Sequence, residues 1–295
     1  RKISFSTGSG HPAVKSWRWM TGDIVSGPGD HRELSGEKTG ETSGGKRRRI
    51  RWFTKMKTSW SSTSRRGCFP RKASPRDVSL VEYLTADLLR RGEISRTQLA
   101  TFRPSVCNRL DRNTSGLIVA GKSLAGLQQM GELFKKRTLK KYYLCIVKGR
   151  ITEPAHIRGY LVKDEKTNRV SLSKGGFSKD AKGLPIETEY VPIAWNEEMT
   201  LLKVHLITGR THQIRVHMSS IRHPLLGDTV YGSGKAPWPL QGQVLHAEGL
   251  GFIHPATGQY VEFESPLPPY FTALLDRLRQ SSRQIKILLF MQYNM

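Results

Sequence analysis

One carboxylate in this sequence lies between two arginines. Asp111 is flanked by Arg109 and Arg112, and a polar Asn-Thr-Ser-Gly turn and an apolar run follow it. A carboxylate held near an arginine stays ionised and can act as a nucleophile or as a base. Spacing alone slightly favours the alternative, a surface aspartate in a salt bridge. Asp111 is nevertheless the sharpest candidate for a reactive group.

A second polar cluster lies about a hundred residues further along the chain. Arg210, His212, Arg215 and His217 stand where a helix is predicted to begin, with Thr211 as its cap. Arg215 can serve as a counter-ion for a carboxylate, or it can lie on a solvated helix face. The histidines are five residues apart rather than at the i, i+4 spacing of a metal pair, and no third ligand is nearby, so we predict no metal site. The same helix is expected to bury Ile214, Met218 and Ile221.

The charge of the chain indicates a polyanionic partner. The formal net charge is +24, which is typical of proteins that bind nucleic acid. Residues 1–72 hold 17 Lys and Arg against 5 Asp and Glu, whereas residues 73–295 hold 31 against 19. The basic run at residues 135–141 fits phosphate contact, or equally a solvated helix end. Neither a P-loop nor a Rossmann glycine pattern is present.

The cysteines and the hydropathy pattern bear on the compartment. Cys68, Cys107 and Cys145 are odd in number and scattered, so we expect no disulfide framework and a reducing, cytoplasmic environment. No run approaches the roughly 20 apolar residues of a membrane span, and no signal peptide is recognised. We therefore expect no membrane association.

Segments with the periodicity of helices and strands alternate from residue 79 onward. Ser79 and Glu82 form a capping box before a predicted helix, and a second helix starting at Ser123 is expected to bury Leu124 and Met130, with Leu127 and Phe134. Many strands interrupted by a few helices predict an α+β fold with a mixed, mostly antiparallel sheet. Predicted strands cover residues 115–121, 142–147, 157–162, 187–195, 200–207, 244–250 and 260–263, and a last helix covers residues 269–278.

Five sequence motifs resemble those of the RluA-type family of RNA pseudouridine synthases, and within it the ribosomal large-subunit branch, and they follow one another in the family's order. The resemblance covers about residues 73–275 and predicts the catalytic domain of that family for residues 73–280, with a tail at 281–295. One departure is Asn108, where the family usually has histidine. The motifs are NRLDRNTSG (residues 108–116), KYYLCIVKG (141–149), GRTHQIRVH (209–217), HPLLGD with the following Tyr231-Gly232 (223–228) and LHAEGLGFIHP (245–255).

The resemblance implies a cofactor-free isomerisation of uridine to pseudouridine in RNA, most often ribosomal RNA, with transfer RNA as an alternative. The target nucleotide would be flipped out of the RNA. Asp111 would act at the sugar–base junction, Tyr143 would stack on the base, and Arg215 would pair with Asp111. No obligate protein partner is implied, so we expect a monomer. Further substrate contacts are implied for Arg109, Arg210, His212, Leu250 and Asn108.

The N-terminal segment departs from the family. Residues 1–72 show no persistent period and predict no fold, and the strand that normally precedes the catalytic aspartate, with the pattern N-K-P-A-G, is absent. Permitted codons for residues 54–72, read from the last base of each codon, can give KDEDVVVLNKPAGMLSQK. Residues 1–72 are therefore either an out-of-frame translation or a divergent disordered extension. The out-of-frame hypothesis predicts a catalytic domain that lacks its first strand and has an unpaired edge; an impaired RNA-binding relic is the alternative function.

Overall fold

The computed structural model describes residues 79–164, 169–173, 183–232, 240, 242–255 and 257–280, together with the backbone of residues 51–55 and 59–64. The chain divides into two units, Arg1–Arg47 and Arg48–Met295, and all of the described residues belong to the second. Within these described ranges, no helix has the length and apolar character needed to cross a membrane. The predicted tail at residues 281–295 lies outside the described residues.

Eleven strands of the described chain form one sheet, and five helices accompany it. The helices are α1 (Leu80–Arg90), α2 (Gln98–Thr101), α3 (Leu124–Lys136), α4 (Gln213–Ser220) and α5 (Pro269–Gln280). The strands are β1 (Arg51–Lys55), β2 (Ser59–Ser64), β3 (Ser105–Val106), β4 (Ser115–Gly121), β5 (Lys140–Lys148), β6 (Ala155–Asp164), β7 (Arg169–Leu172), β8 (Leu184–Trp195), β9 (Met199–Leu206), β10 (Leu245–Ile253) and β11 (Tyr260–Glu264).

The strand order of the sheet brings distant parts of the sequence together. The order is β1-β2-β4-β10-β5-β9-β8-β6-β7, with β11 beside β10 and β3 beside β4. Among the described strand pairs, β4 and β10 run parallel and the others are antiparallel. The predicted α+β class with a mixed, mostly antiparallel sheet is therefore confirmed. Strands β8 and β9 form a hairpin through Asn196-Glu197-Glu198, in which Asn196 Oδ1 accepts from the Met199 amide at 2.8 Å.

Strand β4 carries the loop of Asp111 at its N-terminal end and is buried on both faces. All seven of its residues are buried. Leu117 and Val119 pack in one apolar cluster with Met130 of α3, while Ile118 and Ala120 pack in two clusters that contain leucines of α1. A strand covered on both sides in this way reads as a continuous apolar run rather than an alternating one. It gives the Asp111 loop a rigid support.

The helix starts show where local sequence is sufficient and where it is not. The capping box is confirmed, because the Ser79 amide donates to Glu82 Oε2 at 2.8 Å and the Glu82 amide donates to Ser79 Oγ at 3.3 Å. Ser123 caps α3 as predicted, accepting from the Gly126 amide at 3.1 Å. The prediction that Leu124 points inward is wrong: it is 59% exposed, because its spacing from the buried Met130 puts it on another side of a helix with about 3.6 residues per turn.

Helix α4 begins differently from the prediction. The cap residue is His212, in the left-handed conformation with φ 54°, and no side chain caps the helix, so the assignment of Thr211 as the cap is wrong. Instead, Gln213 Oε1 accepts from the Arg210 amide at 3.1 Å and from Thr208 Oγ1 at 2.7 Å. A tight turn of this kind is closed by a residue inside the helix rather than by the one before it.

Two short strands lie in the region predicted to be without a fold. Strand β1 pairs with β2, and β2 runs antiparallel to β4 from Ser59 opposite Gly121 to Ser64 opposite Gly116. The backbone at these positions differs from the prediction that the folded domain begins at residue 73, and it occupies the edge of β4 that the prediction left unpaired. The rest of residues 1–72 lies outside the described residues.

Candidate active site

The Asp111 carboxylate lies beside a guanidinium from the second motif. Asp111 is in the turn between β3 and β4, where its carbonyl accepts from the Thr114 amide at 2.9 Å. Arg215 of α4 donates from Nη1 to Asp111 Oδ2 at 3.4 Å, although the two residues are 104 positions apart in the sequence. The Asp111 side chain is 22% exposed and that of Arg215 is 6% exposed. One carboxylate oxygen therefore faces a buried cation while the group keeps contact with solvent.

Arg215 is held more tightly by a second carboxylate. Its Nε and Nη2 donate to Asp228 Oδ2 and Oδ1 at 2.7 and 2.9 Å, which is a bidentate pair. Its Cζ also lies 4.9 Å from the ring centroid of Tyr231. Burial by itself would lower the pKa of Arg215, but the hydrogen bonds and charges of Asp228, and then of Asp111, raise it above its ordinary value. Arg215 is a permanent cation shared by two acids.

Asp228 is correspondingly stabilised as an anion. Burial would raise the pKa of its carboxyl, but the hydrogen bonds and charge of Arg215, together with backbone amides of Val230 and Tyr231, lower the pKa below its ordinary value. Asp228 and Tyr231 belong to the matched motifs, yet the sequence gives them no role. The sequence did contain a signal for Asp228, because this acidic residue follows the apolar Leu225-Leu226 and a turn-forming glycine. A charged side chain so close to an apolar segment needs a partner.

His212 lies on the other side of Asp111. Its Nε2 is 4.0 Å from Asp111 Oδ1, and its Nδ1 is 2.8 Å from the Tyr231 hydroxyl. Burial is the largest influence on this imidazole and lowers its pKa; Arg215 also lowers it, while Asp111 and Asp228 oppose the change. A neutral imidazole is the favoured state near neutral pH, so Asp111 has a cation near one oxygen and an uncharged ring near the other.

Tyr143 of β5 approaches the site from the sheet. It packs in the apolar cluster that contains Leu110 and Ile118, next to the Asp111 loop. Burial, and then the negative charge of Asp111, raise the pKa of its phenol well above the ordinary value. The phenol is therefore uncharged. Leu250 belongs to a different apolar cluster, with Leu117, Val119 and Phe252, and its contact with a base stays a prediction.

The remaining predicted residues occupy three different environments. Arg109 is exposed and donates from Nη2 to Thr211 Oγ1 at 3.5 Å, which ties the two motifs together at the surface. Arg210 is half-buried in the turn before α4. His217 is fully buried, with Nδ1 2.8 Å from Thr188 Oγ1. His217 therefore belongs to the core beneath α4 and not to the group around Asp111.

Asn108 connects the start of the Asp111 loop to the backbone of β4. Its Oδ1 accepts from the Val119 amide at 2.7 Å, and its Nδ2 donates to the Leu117 carbonyl at 3.2 Å. Both ends of the side-chain amide are thus bonded to the backbone of β4. Contact of Asn108 with the substrate stays a prediction.

Lys141 is a further cation close to the site. It opposes Leu250 across β5 and β10, is 8% exposed, and donates from Nζ to the Ile207 carbonyl at 3.4 Å. Burial, and then the charge of Arg137, lower its pKa to about 8. Because Lys141 ends the basic run at 135–141, that run is not uniformly a solvated helix end.

The described residues contain no group of three His, Cys, Asp or Glu arranged to hold a metal ion.

The fold has counterparts among solved structures. The human protein named RNA pseudouridylate synthase domain containing 4 superimposes with a TM-score of 0.62 at 22% identity, covering 77% of this chain and 92% of that one. The human protein named RNA pseudouridylate synthase domain containing 1 superimposes with a TM-score of 0.56 at 23% identity, covering 81% of this chain and 98% of that one. At these identities the likeness establishes the fold alone.

Sequence comparison then defines the family. A family model described as RNA pseudouridylate synthase matches residues 72–220, which is half of the chain. The chain belongs to this family, and its resemblance to the RluA-type members is confirmed. A Zymomonas mobilis protein named ribosomal large subunit pseudouridine synthase D is 37% identical over 188 residues, covering 61% of this chain and 58% of that protein. The Bacillus subtilis protein named uncharacterized RNA pseudouridine synthase YlyB is 36% identical over 180 residues, covering 61% and 57%. The chain thus spans less than two thirds of the length of these relatives.

Proposed function

We propose that this chain isomerises uridine to pseudouridine in RNA, without a cofactor, and that Asp111 is its catalytic group. The observation that carries the proposal is the carboxylate of Asp111 beside the buried Arg215, with the uncharged Tyr143 packed next to the same loop. The excess of Lys and Arg over Asp and Glu in residues 73–295, 31 against 19, is consistent with an RNA substrate.

The reaction exchanges one bond of the base for another. The bond from the ribose to a ring nitrogen breaks, the uracil turns, and a bond forms from the ribose to a ring carbon; that carbon loses a proton and the nitrogen gains one, so no atom is added or lost. Asp111 would act at the sugar–base junction, and Tyr143 would stack on the base. Fixed charges that need no rearrangement during the reaction lower its barrier. Arg109, Arg210, His212 and Leu250 are proposed to help seat the flipped nucleotide.

The test compares Asp111→Asn with Asp276→Asn. The second variant makes the same chemical change on the solvent-facing side of α5, where the exposed Asp276 pairs with Arg279 at 3.6 Å. With ribosomal RNA transcripts as substrate, the parent chain and Asp276→Asn are expected to form pseudouridine at equal rates, and Asp111→Asn to form none. A folded parent chain that converts no uridine contradicts the proposed function. Equal activity of Asp111→Asn contradicts only the role of Asp111.

Large-subunit ribosomal RNA is the proposed substrate, because the named relatives include several ribosomal large subunit pseudouridine synthases. Conversion of a large-subunit ribosomal RNA transcript is expected to be at least tenfold faster than conversion of a transfer RNA pool. The reverse order would assign the chain to transfer RNA. Pseudouridine maps of ribosomal RNA from cells with and without the gene would identify the uridine.

We further propose that residues 1 to about 72 are an out-of-frame translation joined to an in-frame catalytic domain. The reading VVVLNK falls on the codons of residues 58–64, and it is Ser59–Ser64 whose backbone pairs with β4. The sequence there, SWSSTS, is polar, whereas β4 is buried throughout. An apolar strand suits that position far better. The DNA around codons 70–76 tests this proposal: absence of any frame that encodes the N-K-P-A-G strand contradicts it.

The polar sequence of β2 beside the buried β4 also favours a second candidate function, an RNA-binding relic with impaired catalysis. The test replaces residues 54–72 by KDEDVVVLNKPAGMLSQK and compares pseudouridine formation with that of the chain as it stands. The relic candidate predicts that the replacement increases the rate at least tenfold. Equal rates, with both proteins folded and active, would exclude it.

A further inference from the structure

The guanidinium of Arg215 is divided unequally between two carboxylates. Asp228 receives two short hydrogen bonds, at 2.7 and 2.9 Å, whereas Asp111 receives one longer bond, at 3.4 Å, from Nη1. A guanidinium prefers a planar, two-bond pair with a carboxylate. Arg215 satisfies that preference with Asp228, not with the proposed catalytic group.

The position of Asp228 is fixed by the backbone around it. Its Oδ1 accepts from the amides of Val230 and Tyr231 at 3.0 and 3.2 Å, and its own amide donates to the Leu225 carbonyl at 3.1 Å. The preceding Gly227 has φ 74°, and a Cβ there would meet the Gly242 carbonyl oxygen. The turn therefore admits glycine almost exclusively at this position, and the carboxylate has little freedom to follow Arg215.

The turn is also attached to the strand that carries Tyr143. The Leu226 amide donates to the Ile146 carbonyl of β5 at 2.8 Å, and the Val244 amide donates to the Leu226 carbonyl at 2.8 Å. Leu225 forms an isolated bridge with Val147. Asp228 thus has a fixed position relative to β5, and the bidentate pair with Asp228 fixes the position of the Arg215 guanidinium as well.

Tyr231 links Arg215 to His212. Its ring lies 4.9 Å from Arg215 Cζ, while its hydroxyl is 2.8 Å from His212 Nδ1 and accepts from the Val170 amide at 3.3 Å. The two groups beside Asp111 therefore share one support. The ring restrains the cation, and the hydroxyl restrains the imidazole.

We propose that Asp228 and Tyr231 are positioning residues, which keep Arg215 from closing into a two-bond pair with Asp111 and so leave one Asp111 oxygen available to the substrate. This inference rests on the proposed function. Without the competing carboxylate, Arg215 would turn toward Asp111 and engage both oxygens. The pair would become stronger and the reaction slower, because the reactive oxygen would then be occupied by a hydrogen bond.

The kinetic test uses Asp228→Asn and Tyr231→Phe, with single-turnover rate and RNA affinity measured separately. Asp228 is 1% exposed, and asparagine keeps an oxygen that can accept from the Val230 and Tyr231 amides while it removes the negative charge beside Arg215. We expect Asp228→Asn to lower the single-turnover rate on the order of 100-fold, while the dissociation constant for RNA stays within about twofold. Tyr231→Phe keeps the ring on Arg215 and removes the hydroxyl with its bonds to His212 and to the Val170 amide, so a smaller loss, about 10-fold, is expected. Asp276→Asn serves again as the surface control.

A second readout does not depend on activity. The Arg215 Nε–H signal in nitrogen-edited NMR, assigned by its loss in Arg215→Lys, should exchange slowly with solvent in the parent chain and in Asp111→Asn, and rapidly in Asp228→Asn. An unchanged Nε–H signal in Asp228→Asn would contradict the proposal that Asp228 holds Arg215. An unchanged single-turnover rate in folded Asp228→Asn and Tyr231→Phe would contradict their role as positioning residues. Equal losses of rate and affinity would instead indicate a general structural role. An inactive parent chain overturns the proposed function, while the NMR comparison still decides whether Asp228 holds Arg215. If Asp228→Asn does not fold, Tyr231→Phe decides the positioning role.

Discussion

At the scale of single residues, the proposed site combines three linked charges with one uncharged aromatic ring. The fixed charges are Asp111, Arg215 and Asp228, which are linked through hydrogen bonds. Tyr143 is uncharged, because burial and then Asp111 raise the pKa of its phenol. A neutral phenol cannot serve as a base near neutral pH, so the ring of Tyr143 rather than its oxygen is what the substrate would use.

Removing the Tyr143 hydroxyl is therefore expected to matter little. Tyr143→Phe keeps the aromatic face and should retain the single-turnover rate within about threefold, whereas Tyr143→Ala loses base stacking worth about 1–3 kcal/mol and should slow the reaction about 5- to 150-fold. Stopped single-turnover assays on a short RNA substrate measure both. A large loss in Tyr143→Phe would assign a chemical role to the hydroxyl.

At the scale of elements, the Asp111 loop depends on β4 for its position. Asn108 binds the backbone of β4 through both ends of its amide, at Val119 and Leu117. These bonds span the turn that contains Asp111. Histidine, which the family usually has at this position, also offers one ring nitrogen that donates and one that accepts.

Asn108→Ala is expected to destabilise the fold. The change leaves a backbone amide and a carbonyl of the buried β4 without a side-chain partner, at a cost of about 1–3 kcal/mol in the free energy of unfolding. Asn108→His should recover most of that loss. Urea unfolding measures the difference, with the exposed Gln128→Ala of α3 as a control that should stay within about 0.5 kcal/mol. A loss in Asn108→Ala no larger than in the control would show that the bonds to β4 contribute nothing.

At the scale of the whole molecule, two buried histidines make stability depend on pH. Burial lowers the pKa of His217 to about 4 and that of His246 to about 4. His246 lies between Ser115 and Ser265, with Nδ1 2.8 Å from Ser115 Oγ. Both imidazoles are neutral in the folded chain and become charged more readily in the unfolded chain.

The sign of the effect follows from that difference. Because the folded pKa of each histidine lies below its unfolded value, the stabilisation is complete above about pH 6.5 and is lost as the pH falls toward 4, by about 3 kcal/mol per histidine. His217→Gln or His246→Gln should lower the slope of unfolding free energy against pH in this window by about 1.4 kcal/mol per pH unit. Urea unfolding at several pH values measures the slope. A slope equal to that of the parent chain would mean that the altered histidine does not titrate on unfolding.

Sequence reasoning was most successful where a single segment decides the outcome. The capping box of Ser79 and the apolar run of β4 are local signals, and both were predicted. The inward position of Leu124 was wrong, because Leu124 lies on a different side of α3 from the buried Gly126 and Met130. The turn at His212 was missed for a similar reason: its closing bonds come from Gln213 and Thr208. Asp228 had no role in the sequence because its partner is fixed only when α4 packs beside the turn.

The separations along the chain between the residues of the site have a consequence for folding kinetics. Asp111 meets Arg215 across 104 residues, and the Ser115 hydroxyl meets that of Tyr270 in α5 across 155. Contacts of such range close late, because long loops must be ordered before they are formed. During synthesis from the N-terminus, the Asp111 loop cannot reach its final support until α5 has left the ribosome. Recovery of activity after dilution from denaturant should therefore follow the slowest folding phase, and a partly synthesised chain would leave RNA unmodified.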